Sequence, residues 1–235
     1  MGRIFEKRKH KMFARFDKMA KAFTRIGKDI AIAVKQGGPN PDNNPRLRLA
    51  IQNAKGVNMP KDRVESAIKR ASSKEEKDFT EVVYEGYAPH GVPVLVECAT
   101  DNPTRTVANI RLHFSKNGGN MGNSGSVSFM FERKGVFKFD PSKLNLDEWE
   151  LDLIDAGAED IQREEEEIIV YTKFADFGAM QKFLEAKKLE ASSSTLQYIP
   201  TTTKELSEAE QDEVMECIGA LEEDDDVQNV YHNLA

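Results

Sequence analysis

Apolar side chains recur every three or four residues between Lys11 and Lys35: Phe13, Phe16, Met19, Phe23, Ile26, Ile30 and Val34. At about 100° per residue these positions share one stripe, so the spacing predicts a single long amphipathic helix. Gly37-Gly38-Pro39 stops it, because glycine takes the left-handed cap and proline cannot continue a helix. A second helix is expected after Asn44, with Pro45 in its first turn, running to Gly56 and burying Leu47, Ala50, Ile51 and Ala54. A third starts near Pro60 and carries Val64, Ala67, Ile68 and Ala71. Short connections between the three predict a small all-α head. Ser72 to Lys77 has no apolar periodicity and reads as a linker.

Beyond the linker the period changes to two. Val82 and Tyr84, then Val94, Val96 and Cys98, alternate as strands do, with a turn at Pro89-His90-Gly91 between them. Asn102-Pro103 opens a helix with Val107, Ile110 and Phe114 on one face, closed by Gly118-Gly119. The next strand is expected to carry Val127, Phe129 and Phe131 on one side. From Val136 a second unit follows: a strand through Phe137 and Phe139, a helix from Leu144 to Ala156, and a strand pair turning at Glu164–Glu167. A helix from Phe174 to Lys187 and a strand from Leu196 to Ile199 complete it. That β-α-β-β-α-β order is the split-βαβ pattern of a ferredoxin-like domain.

A last helix, Ser207 to Leu221, and a last strand, Val227 to Tyr231, have no partner in the second unit. They supply what the first α/β unit lacks. The expected fold class is therefore α+β with three domains: an N-terminal three-helix domain and two ferredoxin-like α/β domains, the first discontinuous. The boundaries read as 1–77 for the head, 78–134 plus 202–235 for the discontinuous domain, and 135–201 for the inserted one.

Charge changes the picture. The chain has a formal net charge of −7, but the two signs are separated. Met1 to Lys77 holds 20 Lys/Arg against 8 Asp/Glu, net +12; the remainder holds 13 against 32, net −19. One end is attracted to polyanions and the other repelled by them. With 39% hydrophobic residues the chain is too apolar for general disorder. No stretch reaches the roughly 18–20 apolar residues of a membrane span. The start, Met1-Gly2-Arg3-Ile4-Phe5, runs into a basic cluster with no apolar core after it, unlike a secretory signal. Two well-separated cysteines, Cys98 and Cys217, in apolar patterns fit a reduced, cytoplasmic protein.

Candidate chemistry follows the charge. His10, His90, His113 and His232 are scattered without metal-ligand spacing, and neither G-x-S-x-G nor H-E-x-x-H occurs, so an enzyme, a metal site and a cofactor are not expected. The glycine-rich run Gly118 to Gly125 follows a helix and enters a strand, the reverse of a phosphate cradle, and reads as a tight turn. The acidic runs Glu164–Glu167 and Glu222–Asp226 read as solvated turns facing away from any polyanion. The basic face of the first helix is the candidate site: Arg8, Lys9, Lys11, Arg15, Lys18, Lys21, Arg25 and Lys28, extended by Lys61, Arg63, Lys69 and Arg70 on the third helix. Aligned cations backed by an aromatic stripe are what phosphate-backbone binding requires. A membrane-surface helix or a calmodulin-type target are the competing readings; phenylalanines packed on the neighbouring helices argue against a membrane anchor.

Four stretches carry a family resemblance: Gly37 to Ala71 (GGPNPDNNPRLRLAIQNAKGVNMPKDRVESAIKRA), Tyr84 to Thr106, Phe114 to Gly135 and Asp225 to Asn233. In this order they resemble the YebC/PmpR family, which includes a mitochondrial translational activator of a cytochrome oxidase subunit. The tip departs from the commonest family form, with Gly2-Arg3-Ile4-Phe5 where a tryptophan-containing start is usual. The resemblance implies a helical domain plus two α/β domains, one discontinuous. It also implies a cytoplasmic regulator of gene expression that is not an enzyme: a DNA-binding transcriptional regulator, or alternatively a ribosome-associated translation factor on ribosomal RNA. A protein-interaction or small-ligand-sensing module is the third class. The implied partner is nucleic acid, DNA or ribosomal RNA, with no membrane and a monomer or weak oligomer.

Overall fold

The structure, a computed structural model, describes residues 3–73 and 78–235, with side chains from Lys18 onward in that span. It divides into two compact units, 1–78 and 79–235.

The first unit is helical: α1 (Arg3–Gly37), α2 (Pro45–Gly56) and α3 (Lys61–Ala71), with α2 and α3 both packed on α1. The helix α1 reaches eight residues further back than the apolar stripe predicts, because nothing from Arg3 to His10 breaks a helix. Its C-terminal half is buried at Ile26, Ile30, Ala33 and Val34, against Leu47, Ala50 and Ala54 of α2 and Val64, Ala67 and Ala71 of α3. Ile51 and Ile68, expected in the core, are half-buried. Asn44 joins the first two helices. Its Nδ2 donates to the carbonyls of Ala33 at 2.7 Å and Gly38 at 2.9 Å, and its Oδ1 accepts from the Leu47 N–H at 3.1 Å.

The second unit holds two four-stranded antiparallel sheets. The first has the order β3-β1-β2-β8, built from β1 (Thr80–Ala88), β2 (Val92–Thr100), β3 (Asn120–Met121) and β8 (Val227–His232). The helices α4 (Pro103–Lys116) and α7 (Glu208–Glu222) cover one face, where Ile110 and Phe114 meet Val214, Cys217, Ile218 and Leu221 over Val94, Val96 and Cys98. The last strand of the chain thus lies in its first sheet, Leu95 opposite Tyr231. The second sheet has the order β5-β6-β4-β7, from β4 (Phe131–Phe139), β5 (Ala158–Arg163), β6 (Ile168–Lys173) and β7 (Ser193–Pro200). Its helices α5 (Leu146–Asp155) and α6 (Phe177–Lys187) close a core of Phe137, Phe139, Leu153, Ile168, Met180 and Leu184.

Two expectations are corrected. The strand expected over Val127, Phe129 and Phe131 does not form: Ser128–Met130 is a 3₁₀ turn, and Phe129 is 71% exposed. The third strand of the first sheet is instead Asn120–Met121, inside the glycine-rich run. The cause is the Glu85 carboxylate, which accepts the N–H groups of Val127 at 2.8 Å and Ser128 at 2.9 Å and so removes them from any ladder. Strand pairing resumes at Phe131, opposite Pro200 in the second sheet. The second correction concerns the acidic run Glu222–Asp226, which is not wholly a solvated turn. Asp226 is only 6% exposed and its Oδ2 accepts from Thr106 at 2.8 Å, Thr100 at 3.1 Å and Arg105 at 2.6 Å. It pins the start of α4 to the entry of β8.

Candidate nucleic-acid interface

Lys18, Lys21, Arg25 and Lys28 follow one another at helical spacing on α1, on the side away from Ile26, Ile30 and Ala33. Lys18 is exposed; Lys21, Arg25 and Lys28 are half-buried. Arg8, Lys9, Lys11 and Arg15 lie on the same helix but outside the described side chains. On α3, Lys61, Arg63, Lys69 and Arg70 are all exposed. Arg63 reaches across to α1, its guanidinium carbon 5.5 Å from the centre of the Phe23 ring. Lys61 lies 3.6 Å from Glu65 one turn on. The packing of α3 against α1 therefore brings cations from both helices onto one small unit, with Phe23 serving partly as a cation platform as well as core. A stripe of fixed cations of this kind meets the regularly spaced charges of a phosphate backbone without reading base identity.

The glycine-rich run of the second unit does hold an anion, but the protein's own. Glu85, 6% exposed, accepts N–H groups from Gly125 at 2.7 Å as well as from Val127 and Ser128. Burial acts to raise its carboxyl, yet those three backbone donors outweigh it and hold the group below the usual carboxylate range. An external phosphate has no place there. Sequence reading passed over Glu85 because a single glutamate in an alternating strand reads as solvent-facing.

Elsewhere, an open cleft of about 470 Å³ is lined by Pro89, His90, Asn117 and Glu213 among others. A ring nitrogen of His90 lies 2.8 Å from Glu213, an exposed pair with no nucleophile beside it. Cys98 and Cys217 are both buried thiols, and burial pushes Cys217 up to about 11, away from reactivity. Among the described residues no group of three or more His, Cys, Asp or Glu could hold a metal ion, and no helix is long and apolar enough to cross a membrane.

The comparisons with known proteins cover the whole chain. Residues 3–74 match the family model described as the TACO1/YebC protein N-terminal domain, and residues 79–234 that described as the TACO1/YebC second and third domain. A protein of Anaeromyxobacter dehalogenans (strain 2CP-C) is 58% identical over 240 residues, covering 100% of both chains. One from Myxococcus xanthus (strain DK1622) is 56% identical with the same coverage. Both are named "probable transcriptional regulatory protein". The crystal structure of a conserved hypothetical protein from Aquifex aeolicus is 40% identical, with a TM-score of 0.81 over 92% of this chain and 90% of that one.

Proposed function

The chain belongs to the TACO1/YebC family, and from that membership we propose that it is a cytoplasmic, nucleic-acid-binding regulator of gene expression and not an enzyme. One observation carries the reading: α3 packs beside α1 so that Lys18, Lys21, Arg25 and Lys28 are joined by Lys61, Arg63, Lys69 and Arg70 within Met1 to Lys77, a segment of net charge +12. Such a segment grips phosphate and leaves sequence preference to other contacts. Arg8, Lys9, Lys11 and Arg15 extend the same grip along α1. DNA is the first partner, and the protein acts as a monomer or weak oligomer.

The test is binding of the full chain to labelled duplex DNA across a salt series. Log affinity should fall linearly with log salt, and each phosphate contact removed should lower the slope by about 0.9. Charge reversal at Lys18→Glu with Lys69→Glu should abolish binding while the thermal unfolding midpoint stays put, since both side chains are exposed. Unchanged affinity in that pair would refute the grip.

A second reading, a translation factor on ribosomal RNA, is favoured by the opposite charge of the two units. The 158 residues from Asp78 on carry net −19, which repels a naked duplex but suits a particle whose proteins are basic. Co-sedimentation with ribosomes at a salt concentration that strips the chain from DNA supports this reading; release from ribosomes before DNA removes it.

A further inference from the structure

The acidic second unit carries cations on both faces at one end of its second sheet. Lys134 of β4 stands directly opposite Lys173 of β6, and like charges facing each other across an antiparallel pair cost stability. Lys134 is offset by Glu159 at 2.8 Å and Glu132 at 3.4 Å. Lys173 is exposed and makes no ion pair with the described residues. Arg133, the residue before Lys134, projects from the opposite face at the same end of the sheet, also exposed and without a carboxylate partner among the described residues.

What Arg133 has instead is aromatic rings. Its guanidinium carbon lies 4.9 Å from the centre of Phe174 and 5.7 Å from that of Tyr198, its cross-strand partner. Tyr198 in turn meets Tyr231 edge-on at 5.5 Å, and the Tyr231 hydroxyl donates to Glu97 at 2.9 Å. Phe131 and Leu95 pack around the two tyrosines where the two sheets meet. A ladder of Tyr231, Tyr198, Arg133 and Phe174 thus runs from that buried junction to solvent. Its outer rung, Phe174, is 51% exposed. A guanidinium that rests on two rings and an exposed phenylalanine break two local rules on one face of the sheet, and such breaks concentrate where a surface has work beyond folding.

We propose that this end of the second sheet binds single-stranded nucleic acid: an unstacked base lies on Phe174 and the Arg133 guanidinium, and Arg133 takes a flanking phosphate. Rings anchored from behind offer faces that any base can use, and the cation beside them strengthens the stack. A duplex cannot use them, because its bases are already stacked on one another. The proposal rests on the reading of the chain as a nucleic-acid-binding regulator, and places in the acidic unit a contact separate from the phosphate grip of the helical one.

The experiment measures binding of the full chain to a short mixed-sequence single-stranded RNA, the matching single-stranded DNA and a duplex DNA, each fluorescently labelled. Phe174→Ala should weaken both single strands by about tenfold, the effect of losing one stacked base, and leave the duplex unchanged. Phe174→Trp should keep or tighten single-strand binding. Arg133→Gln should lower the single-strand salt slope by about 0.7, one phosphate contact. Both sites are exposed enough that unchanged thermal unfolding is expected. Single-strand affinity unmoved by Phe174→Ala and Arg133→Gln overturns the proposal. If Lys18→Glu with Lys69→Glu then abolishes duplex binding, the helical grip survives that failure. A chain that binds none of the three probes ends both readings.

Discussion

Asn44 and Glu85 show how much of this fold hangs on single polar side chains out of solvent. Asn44, 3% exposed, caps α2 and satisfies two carbonyls at the end of α1. Asn44→Ala removes the cap and the side-chain donor to both carbonyls, a loss of about 2–4 kcal/mol in denaturant unfolding. Asn44→Asp keeps the cap acceptor but not the donors, so it should recover only part. Glu85 organises the glycine-rich loop in the same way, as an acceptor for three N–H groups. Glu85→Gln, which offers one neutral oxygen in place of two charged ones, should cost about 1–3 kcal/mol. Because the folded carboxyl titrates below its unfolded value, its contribution is fully present above the unfolded carboxylate range and is lost as pH falls toward the folded one. The unfolding midpoints of the wild type and Glu85→Gln should therefore differ at neutral pH and converge under acid. A constant difference down to low pH would show that Glu85 acts through packing alone.

Among the elements, the first sheet depends on close approach between α4, β1 and β3. Phe114 of α4 is fully buried, and Gly86 of β1 leaves room for it: a Cβ there would lie 2.8 Å from the Phe114 ring and 2.7 Å from the Asn120 carbonyl oxygen. The backbone carbonyl cannot yield as a side chain does. Gly86→Ala should therefore destabilise by about 1–3 kcal/mol through overpacking, and Phe114→Ala by about 3–5 kcal/mol through the cavity it leaves. Thermal and denaturant unfolding check both. If Gly86→Ala is neutral, the two-residue strand at Asn120–Met121 shifts freely and the glycine is not required there.

For the whole molecule, the separation of net +12 from net −19 governs how the chain meets any polyanion. Long-range repulsion from the acidic unit offsets attraction to the basic one, and salt screens the two unequally only within about 10 Å. Affinity for naked duplex DNA should accordingly be modest near physiological salt. Neutralising part of the acidic unit at exposed Glu164, Glu165 and Glu166 by glutamine should tighten duplex binding several-fold at low salt and have no effect at high salt. Equal tightening at both salts would point to a direct contact rather than a field effect.

The sequence by itself determined the elements and the charge. An apolar period of three to four residues can be satisfied only by a helix and a period of two only by a strand. The long stripe of α1 and the alternation of β1 and β2 were legible for that reason. So was the return of β8 to the first sheet, because the last helix and strand had an apolar face each and no partner nearby. Only tertiary structure decided where an unbroken alternation stops being a strand. Val127 to Phe131 has the pattern of one, but a glutamate about forty residues earlier claims its N–H groups, and no local pattern records a hydrogen bond of that separation. The same holds for Asp226, drawn out of an acidic run by Thr100, Thr106 and Arg105, and for Arg133, Tyr198 and Phe174. Those three belong to separate segments with nothing unusual in any of them, and sheet pairing alone sets the guanidinium between the rings.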